Sequence, residues 1–183
     1  MTFNPNKFLL HPDYDPIKDP NQIIKVPGSG VVERKYGKDL RALRQYHPDL
    51  LIIGGAVRDS LFGREVKDVD HITTSSLTVQ ALVPLWNLKN ISDPTYEDTD
   101  MVFQNEDKSK DLLFVTDLWH RVACFPDSIS QCWFDGTNVY GTTEFMKTYM
   151  TEIVTYASNI KAERLGRLKA KYPEFTFQSN DFF

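Results

Sequence analysis

Cysteine is scarce in this chain: only Cys124 and Cys132 occur among 183 residues, in neither a Cys-x-x-Cys pattern nor any zinc-ligand spacing. That excludes a disulfide framework and a cysteine-built metal site, and fits a reduced pair in a cytosolic protein. A basic excess is also missing. Against 25 Asp and Glu stand 21 Lys and Arg, for a formal net charge of −4. The broad positive field that dominates non-specific nucleic-acid binding is therefore lacking. No apolar run is long enough to span a membrane and no signal-peptide pattern opens the chain, so the expected setting is the cytoplasm, with no membrane partner. The length suits one domain with a real core.

One stretch carries the chemistry. Leu50 to Ile53 is a short continuous apolar run ending in Gly54-Gly55, as expected of a buried strand followed by a turn that needs positive φ or close approach by a ligand. Ala56 to Leu61 reads as a short helix closed by Gly63, with its free amide groups and positive dipole end directed at the glycine turn, where an anion belongs. Val66 to Ile72 is expected as the next strand, with Asp68 and Asp70 on one face and Val69 on the other. Two carboxylates on one strand face repel unless a cation sits between them. A hard divalent ion is the simplest occupant, because Mg²⁺ favours one or two carboxylates plus substrate phosphates. Two such ions about 4 Å apart can clamp the attacking and leaving oxygens of an in-line displacement. Taken singly, a Gly-Gly pair is usually only a turn and an Asp-x-Asp pair a solvated face. Here they share one pattern with Arg58-Asp59 between them and Thr73-Thr74 after them.

That pattern, apolar-Gly-Gly-x-Val-Arg-Asp followed by Asp-x-Asp-x-x-Thr, resembles motif A of the class II nucleotidyltransferases of the DNA polymerase β superfamily, the group of tRNA CCA-adding enzymes and bacterial poly(A) polymerases. The resemblance implies a minimal nucleotidyltransferase fold: a mixed β-sheet flanked by helices, in the α/β (α+β) class. It also implies Mg²⁺ or Mn²⁺ as cofactor and a nucleoside triphosphate as substrate. By resemblance, Gly54 and Gly55 hold the triphosphate, Asp68 and Asp70 bind the metal, and Arg58 and Asp59 order the site beside them. Lys67 is a further cation for the phosphates.

Met101 to Gln104 and Asp111 to Val115 read as a hairpin around a polar turn. A carboxylate opening an apolar strand is costly unless solvated or paired with a cation. The family carries its third acidic residue on the equivalent strand, so Asp111 is the expected third metal ligand, with Asp117 the competitor and Asp100 a weaker candidate. Downstream, Phe125 to Gly141 matches more loosely the family's Arg-Arg-Asp segment and the strand after it. Asp127 falls on the Asp, and Gln131 stands where an Asn contacts the nucleotide. The paired arginines are replaced by Phe125-Pro126, which removes cations that would neutralise the triphosphate. Arg121 lies one short turn upstream as a possible substitute, and Arg58, Lys67 and the metal are the alternative.

The remaining segments read as scaffold around this core. Residues 1–30, with five prolines and the anchors Phe3, Phe8, Leu9, Leu10, Ile23 and Ile24, form an extended arm that either lies along the core or reaches a partner chain. Residues 31–141 are the catalytic core, starting with an amphipathic helix from Val31 to Tyr46 and including a helix from Leu77 to Trp86 capped by Ser75-Ser76. Residues 142–183 are a C-terminal helix, from Thr142 to Tyr172, and a phenylalanine-rich tail. Lys161, Arg164, Arg167, Lys169 and Lys171 make the end of that helix basic, either to guide a polyanion or to complement the helix dipole.

The resemblance spans about Leu50 to Tyr140, the catalytic head alone, as in short stand-alone phage-type members. Transfer of a nucleoside monophosphate to a hydroxyl of RNA is the first functional expectation. Transfer to a protein or small molecule is the alternative, and a nucleotide-binding regulator without turnover the third.

Overall fold

The computed structural model describes residues 23–92 and 101–180. Most of the arm, the weaker acidic candidate Asp100 and the end of the phenylalanine-rich tail lie outside those residues.

An eight-stranded mixed sheet forms the centre, in the order β1-β8-β7-β2-β3-β6-β5-β4. Its strands are β1 (Ile24–Lys25), β2 (Leu51–Ile53), β3 (Val69–Thr73), β4 (Lys89–Asn90), β5 (Met101–Gln104), β6 (Lys110–Phe114), β7 (Cys132–Phe134) and β8 (Val139–Gly141). Among the described residues only β3 and β6 pair in parallel in this sheet; every other neighbouring pair is antiparallel. Both faces are covered, which explains why β2 is apolar throughout rather than alternating. Ile52, Leu112 and Phe134 point to one core with Val57, Leu82 and Phe145, while Leu51, Ile53, Ile72, Leu113 and Trp133 point to the other with Leu118 and Val122.

The helices follow the expected positions with informative differences. Residues 30–44 are helical as α1 (Gly30–Val32), a π-helical turn over Glu33–Gly37 and α2 (Lys38–Arg44). After β2 comes α3 (Gly55–Leu61), and after β3 comes α4 (Ser76–Leu85), whose N-cap Ser75 accepts from Thr78. Next is α5 (Leu118–Ala123), capped by Asp117, which accepts from the His120 amide and so serves the helix start. After Pro126 the chain makes a single 3-10 turn, Ser128–Ser130, preceded by Asp127, whose side chain makes no cap bond to it. The arm's Ile23 and Val26 are buried and β1 pairs with β8, so this end of the arm joins the core.

The segment expected as one C-terminal helix is instead two helices with a strand between them. α6 (Thr143–Thr151) stops at Glu152, which adopts the left-handed conformation with φ +57°. The β-branched and aromatic run β9 (Ile153–Ala157) then extends, as such residues prefer. α7 (Ala162–Lys171) crosses over to β10 (Thr176–Asn180), which lies parallel to β9. Leu168, Tyr172 and Phe175 pack with Ile129 and Val154 into a separate small core. Among the described residues no helix is long and apolar enough to cross a membrane.

Candidate active site

The motif stretch folds as the strand-turn-helix its residues dictate. Gly54 takes φ +59°, ψ −120°, and a Cβ there would sit 3.1 Å from the Phe125 ring, so both conformation and space demand glycine. Gly55 starts α3 and makes only ordinary contact, with Arg58 Nη2 3.6 Å from where its Cβ would be. After α3 the chain turns at Gly63, φ +65°. The expected strand from Val66 is shorter than its sequence suggests: β3 begins at Val69, leaving Asp68 one residue ahead of it. Beyond the strand, Asp49 accepts from Thr73 Oγ1 at 2.5 Å and from the Thr74 amide at 2.8 Å, which gives the threonines of the motif a structural task.

Gly55, Arg58, Asp59, Lys67, Asp68 and Asp70 line one cleft of about 270 Å³ with Phe125 and, from α7, Arg164, Arg167 and Lys171. Asp70 is enclosed enough that desolvation, with the charges of Asp68 and Asp111 nearby, pushes its carboxyl up to about 7; Arg121 and Arg164 pull the other way. Asp111 is the register partner of Asp70 across β3 and β6. Its carboxyl is also raised, by desolvation first and Asp68 after it, while Gln104 Nε2 donates to its Oδ1 at 2.9 Å. His71 faces the opposite side against Trp86, with ring centroids 4.7 Å apart. Burial and the Lys110 charge lower it to about 4, and it takes no part in the cleft.

Beside the acidic end lies a buried polar network. Arg58 donates through Nε to Asp59 Oδ1 at 2.6 Å and through Nη1 to Ser130 Oγ at 2.8 Å. Asp59 also accepts from Lys171 Nζ and from the Tyr172 hydroxyl, both at 2.5 Å. Burial opposes the charge on Asp59, but Arg58 and these hydrogen bonds outweigh it and hold the carboxyl below its ordinary value. The network ties α3 to α7, and so fixes the two walls of the cleft relative to each other.

Two expected nucleotide-binding residues are committed elsewhere. Gln131 donates to the carbonyls of Ala123 and Phe125 at 3.0 and 3.2 Å and accepts from Thr142 Oγ1 at 2.7 Å, so its amide holds the protein together. Asp127 is wholly buried and accepts from Arg164 Nε at 2.7 Å, and its charge also acts on Arg58, so it bears on the cleft through these two arginines. In exchange, Phe125, Arg164, Arg167 and Lys171 are cleft residues that the motif reading did not assign. The signal was present: positions 164, 167 and 171 fall on one helix face.

Among the described residues no three His, Cys, Asp or Glu side chains converge into a ready-made metal site. The donor chemistry fits nonetheless: Asp68 and Asp70 share the cleft, and Asp70, raised first by desolvation and then by the charges of Asp68 and Asp111, is a carboxylate that a hard cation would stabilise.

No family model matches the sequence, and no curated protein matches it. Solved structures do match in fold. The Thermotoga maritima CCA-adding enzyme complexed with tRNA_CCA aligns with TM-score 0.59 and 13% identity, over 87% of this chain and 43% of that one. A tRNA-processing enzyme in its apo form I aligns with TM-score 0.57 and 15% identity, over 86% and 46%. The Bacillus stearothermophilus CCA-adding enzyme in complex with CTP aligns with TM-score 0.50 and 19% identity, over 84% and 41%. The chain thus spans less than half the length of each, and it has the mixed α/β fold of a nucleotidyltransferase head domain.

Proposed function

We propose that this protein is a metal-dependent nucleotidyltransferase that moves a nucleoside monophosphate from a nucleoside triphosphate to an acceptor hydroxyl, with an RNA 3′ end as the acceptor. The observation that carries the reading is the cleft itself. It sets Asp68 and Asp70 at one wall and Arg164, Arg167 and Lys171 at the other, on the fold of enzymes described with tRNA and with CTP.

In this reading Asp68 and Asp70 would hold Mg²⁺ or Mn²⁺, and Asp111, the register partner of Asp70, would join them only as the ion draws the three carboxylates together. When bound, the ion neutralises charge on the triphosphate and on the departing pyrophosphate. The protein's own part is binding and alignment. Gly55 lets the backbone come close to the phosphates, and Lys67 adds a cation at the same cleft. Arg58 is pinned by Asp59, Ser130 and Tyr172, so it meets the nucleotide without reorganising. α7 forms the far wall, from which Arg164, Arg167 and Lys171 offer positive charge to the phosphates.

The test is incubation of the purified chain with each labelled triphosphate, Mg²⁺ and RNA, with protein extract and small metabolites as parallel acceptors. Label on RNA supports the proposal; label only on protein or metabolite moves the acceptor; triphosphate binding with no transfer to any acceptor favours a regulator.

A further inference from the structure

One rung of the central sheet runs from the core to the edge through the acidic site. Trp133 on β7, Ile53 on β2, Asp70 on β3, Asp111 on β6, Gln104 on β5 and Lys89 on β4 are successive register partners. Partners opposite each other on neighbouring strands share a sheet face, so the rung is apolar as far as Ile53 and polar from Asp70 outward. Asp111 thus has a carboxylate on one side, Asp70, and a carboxamide on the other, Gln104. The carboxamide makes contact: Gln104 Nε2 donates to Asp111 Oδ1 at 2.9 Å, and both side chains are half-buried. The hairpin turn that follows Gln104 is itself tied down. Asn105 N donates to the Lys110 carbonyl at 3.2 Å, Lys110 N to Asn105 Oδ1 at 3.0 Å and Asn105 Nδ2 to Ser109 Oγ at 3.0 Å. Gln104 and Asp111 are therefore held opposite each other by the turn that joins their strands.

A carboxylate that is to receive a divalent ion needs a partner that holds it without cancelling its charge. A Lys or Arg directly opposite Asp111 would fix it but compete with the ion, and an apolar residue would leave it free to turn. Here the lysine of the rung, Lys89, stands two strands from Asp111 and the adjacent partner is neutral. A glutamine amide donates a hydrogen bond and carries no charge. With Oδ1 taken by Gln104, the other oxygen of Asp111 is left for an ion, and the ion has less side-chain freedom to remove when it binds. We propose that Gln104 is a positioning residue that fixes the Asp111 carboxylate beside Asp70 for the binding of a divalent ion. It acts through Asp111 alone. The inference rests on the nucleotidyltransferase reading and adds a residue that belongs neither to the motif stretch nor to the lining of the cleft.

The experiment is titration of the full chain with Mn²⁺ alone, without nucleotide or acceptor, with free Mn²⁺ counted by its paramagnetic resonance signal. The proteins are wild type, Gln104→Leu, Asp111→Asn and the double variant, each checked for folding by circular dichroism. Gln104→Leu is expected to weaken Mn²⁺ binding about 10-fold, the scale for losing a partner that orients a metal ligand. In the Asp111→Asn background the same change should alter affinity by less than about two-fold, because Gln104 then has no carboxylate to hold. Equal losses in both backgrounds overturn the inference and make Gln104 a packing residue. Wild-type affinity in Asp111→Asn overturns it as well, since the effect is then not carried by Asp111. If Gln104→Leu fails to fold, Gln104→Val, a strand former without a donor, takes its place under the same expectations. A wild type that binds no Mn²⁺ overturns this inference together with the metal-dependent part of the proposed function. Mn²⁺ binding by the wild type with no loss in Gln104→Leu overturns this inference alone.

Discussion

Asp70 and Asp111 stand opposite each other across the parallel pair of β3 and β6, the one parallel pairing in the central sheet among the described residues. Desolvation first, and then the charges of Asp68 and Asp111, raise Asp70 from an ordinary carboxyl value of 3.8 to about 7. A folded-state value above the unfolded one means that folding takes up a proton. The associated stability is complete below 3.8 and is lost as pH rises through about 7. Asp70→Asn removes the charge that causes the loss, and should stabilise the metal-free protein by about 2 kcal/mol at about pH 8, with half of the nominal effect discounted for solvent in the cleft. Urea unfolding of both proteins at about pH 4 and pH 8 measures it. An equal gain at both values would contradict the electrostatic cause.

Metal should reverse the penalty. Adding Mg²⁺ or Mn²⁺ is expected to raise the wild-type unfolding midpoint in proportion to the logarithm of ion concentration, and chelation to restore the starting value. Asp111→Asn retains an oxygen for the Gln104 donor, so its fold should survive while Mn²⁺ affinity drops about 10-fold. Unchanged affinity in that variant would leave Asp111 as a strand-end residue only.

The two glycines of the turn should separate cleanly. Gly54→Ala is strained by φ +59° and brings a Cβ to 3.1 Å from the Phe125 ring, and should cost about 1–3 kcal/mol of stability as well as activity. Gly55→Ala meets only Arg58 Nη2 at ordinary distance, so its stability should change by less than about 0.5 kcal/mol. Any loss of triphosphate affinity in Gly55→Ala then reports backbone approach by the ligand. Thermal melts alongside ATP titrations distinguish the two positions.

Tyr172 joins both walls of the cleft, since its hydroxyl donates to Asp59 at 2.5 Å and accepts from Arg58 Nε at 3.2 Å. Tyr172→Phe should cost about 1–2 kcal/mol. It should also raise KM for the triphosphate more than it lowers kcat, because Arg58 and Asp59 lose a shared partner. A stability loss with unchanged KM would make the contact structural alone.

How far the sequence could be read depends on where each constraint is local. The β2-turn-α3 unit was legible because an apolar run, two glycines and Gly63 each dictate their own conformation, and the pairing of Asp111 with Asp70 followed from the hairpin reading and the resemblance. The length of β3 was not: Lys67 and Asp68 alternate as a strand would, yet pairing with β2 begins to be satisfied only from Asp70 to Ile72. Nor was β9, because Ile153, Val154 and Ala157 fit a helical stripe as well as a strand, and the left-handed Glu152 carries no glycine signal. Gln131 reads as a free polar group until Thr142 and the carbonyls of Ala123 and Phe125 are brought to it. The basic face of α7 was visible as a pattern, but its direction, toward Asp68 and Asp70, is a property of the β9-α7-β10 crossover.

The most direct measurement follows label from the α-phosphate of a nucleoside triphosphate onto the 3′ end of RNA, for wild type and Asp70→Ala, with folding of both verified. The account predicts divalent-dependent labelling by the wild type and a loss of at least about 100-fold in Asp70→Ala, the scale expected when transition-state charge stabilisation is removed. Labelling by Asp70→Ala at the wild-type rate with unchanged metal dependence would contradict it.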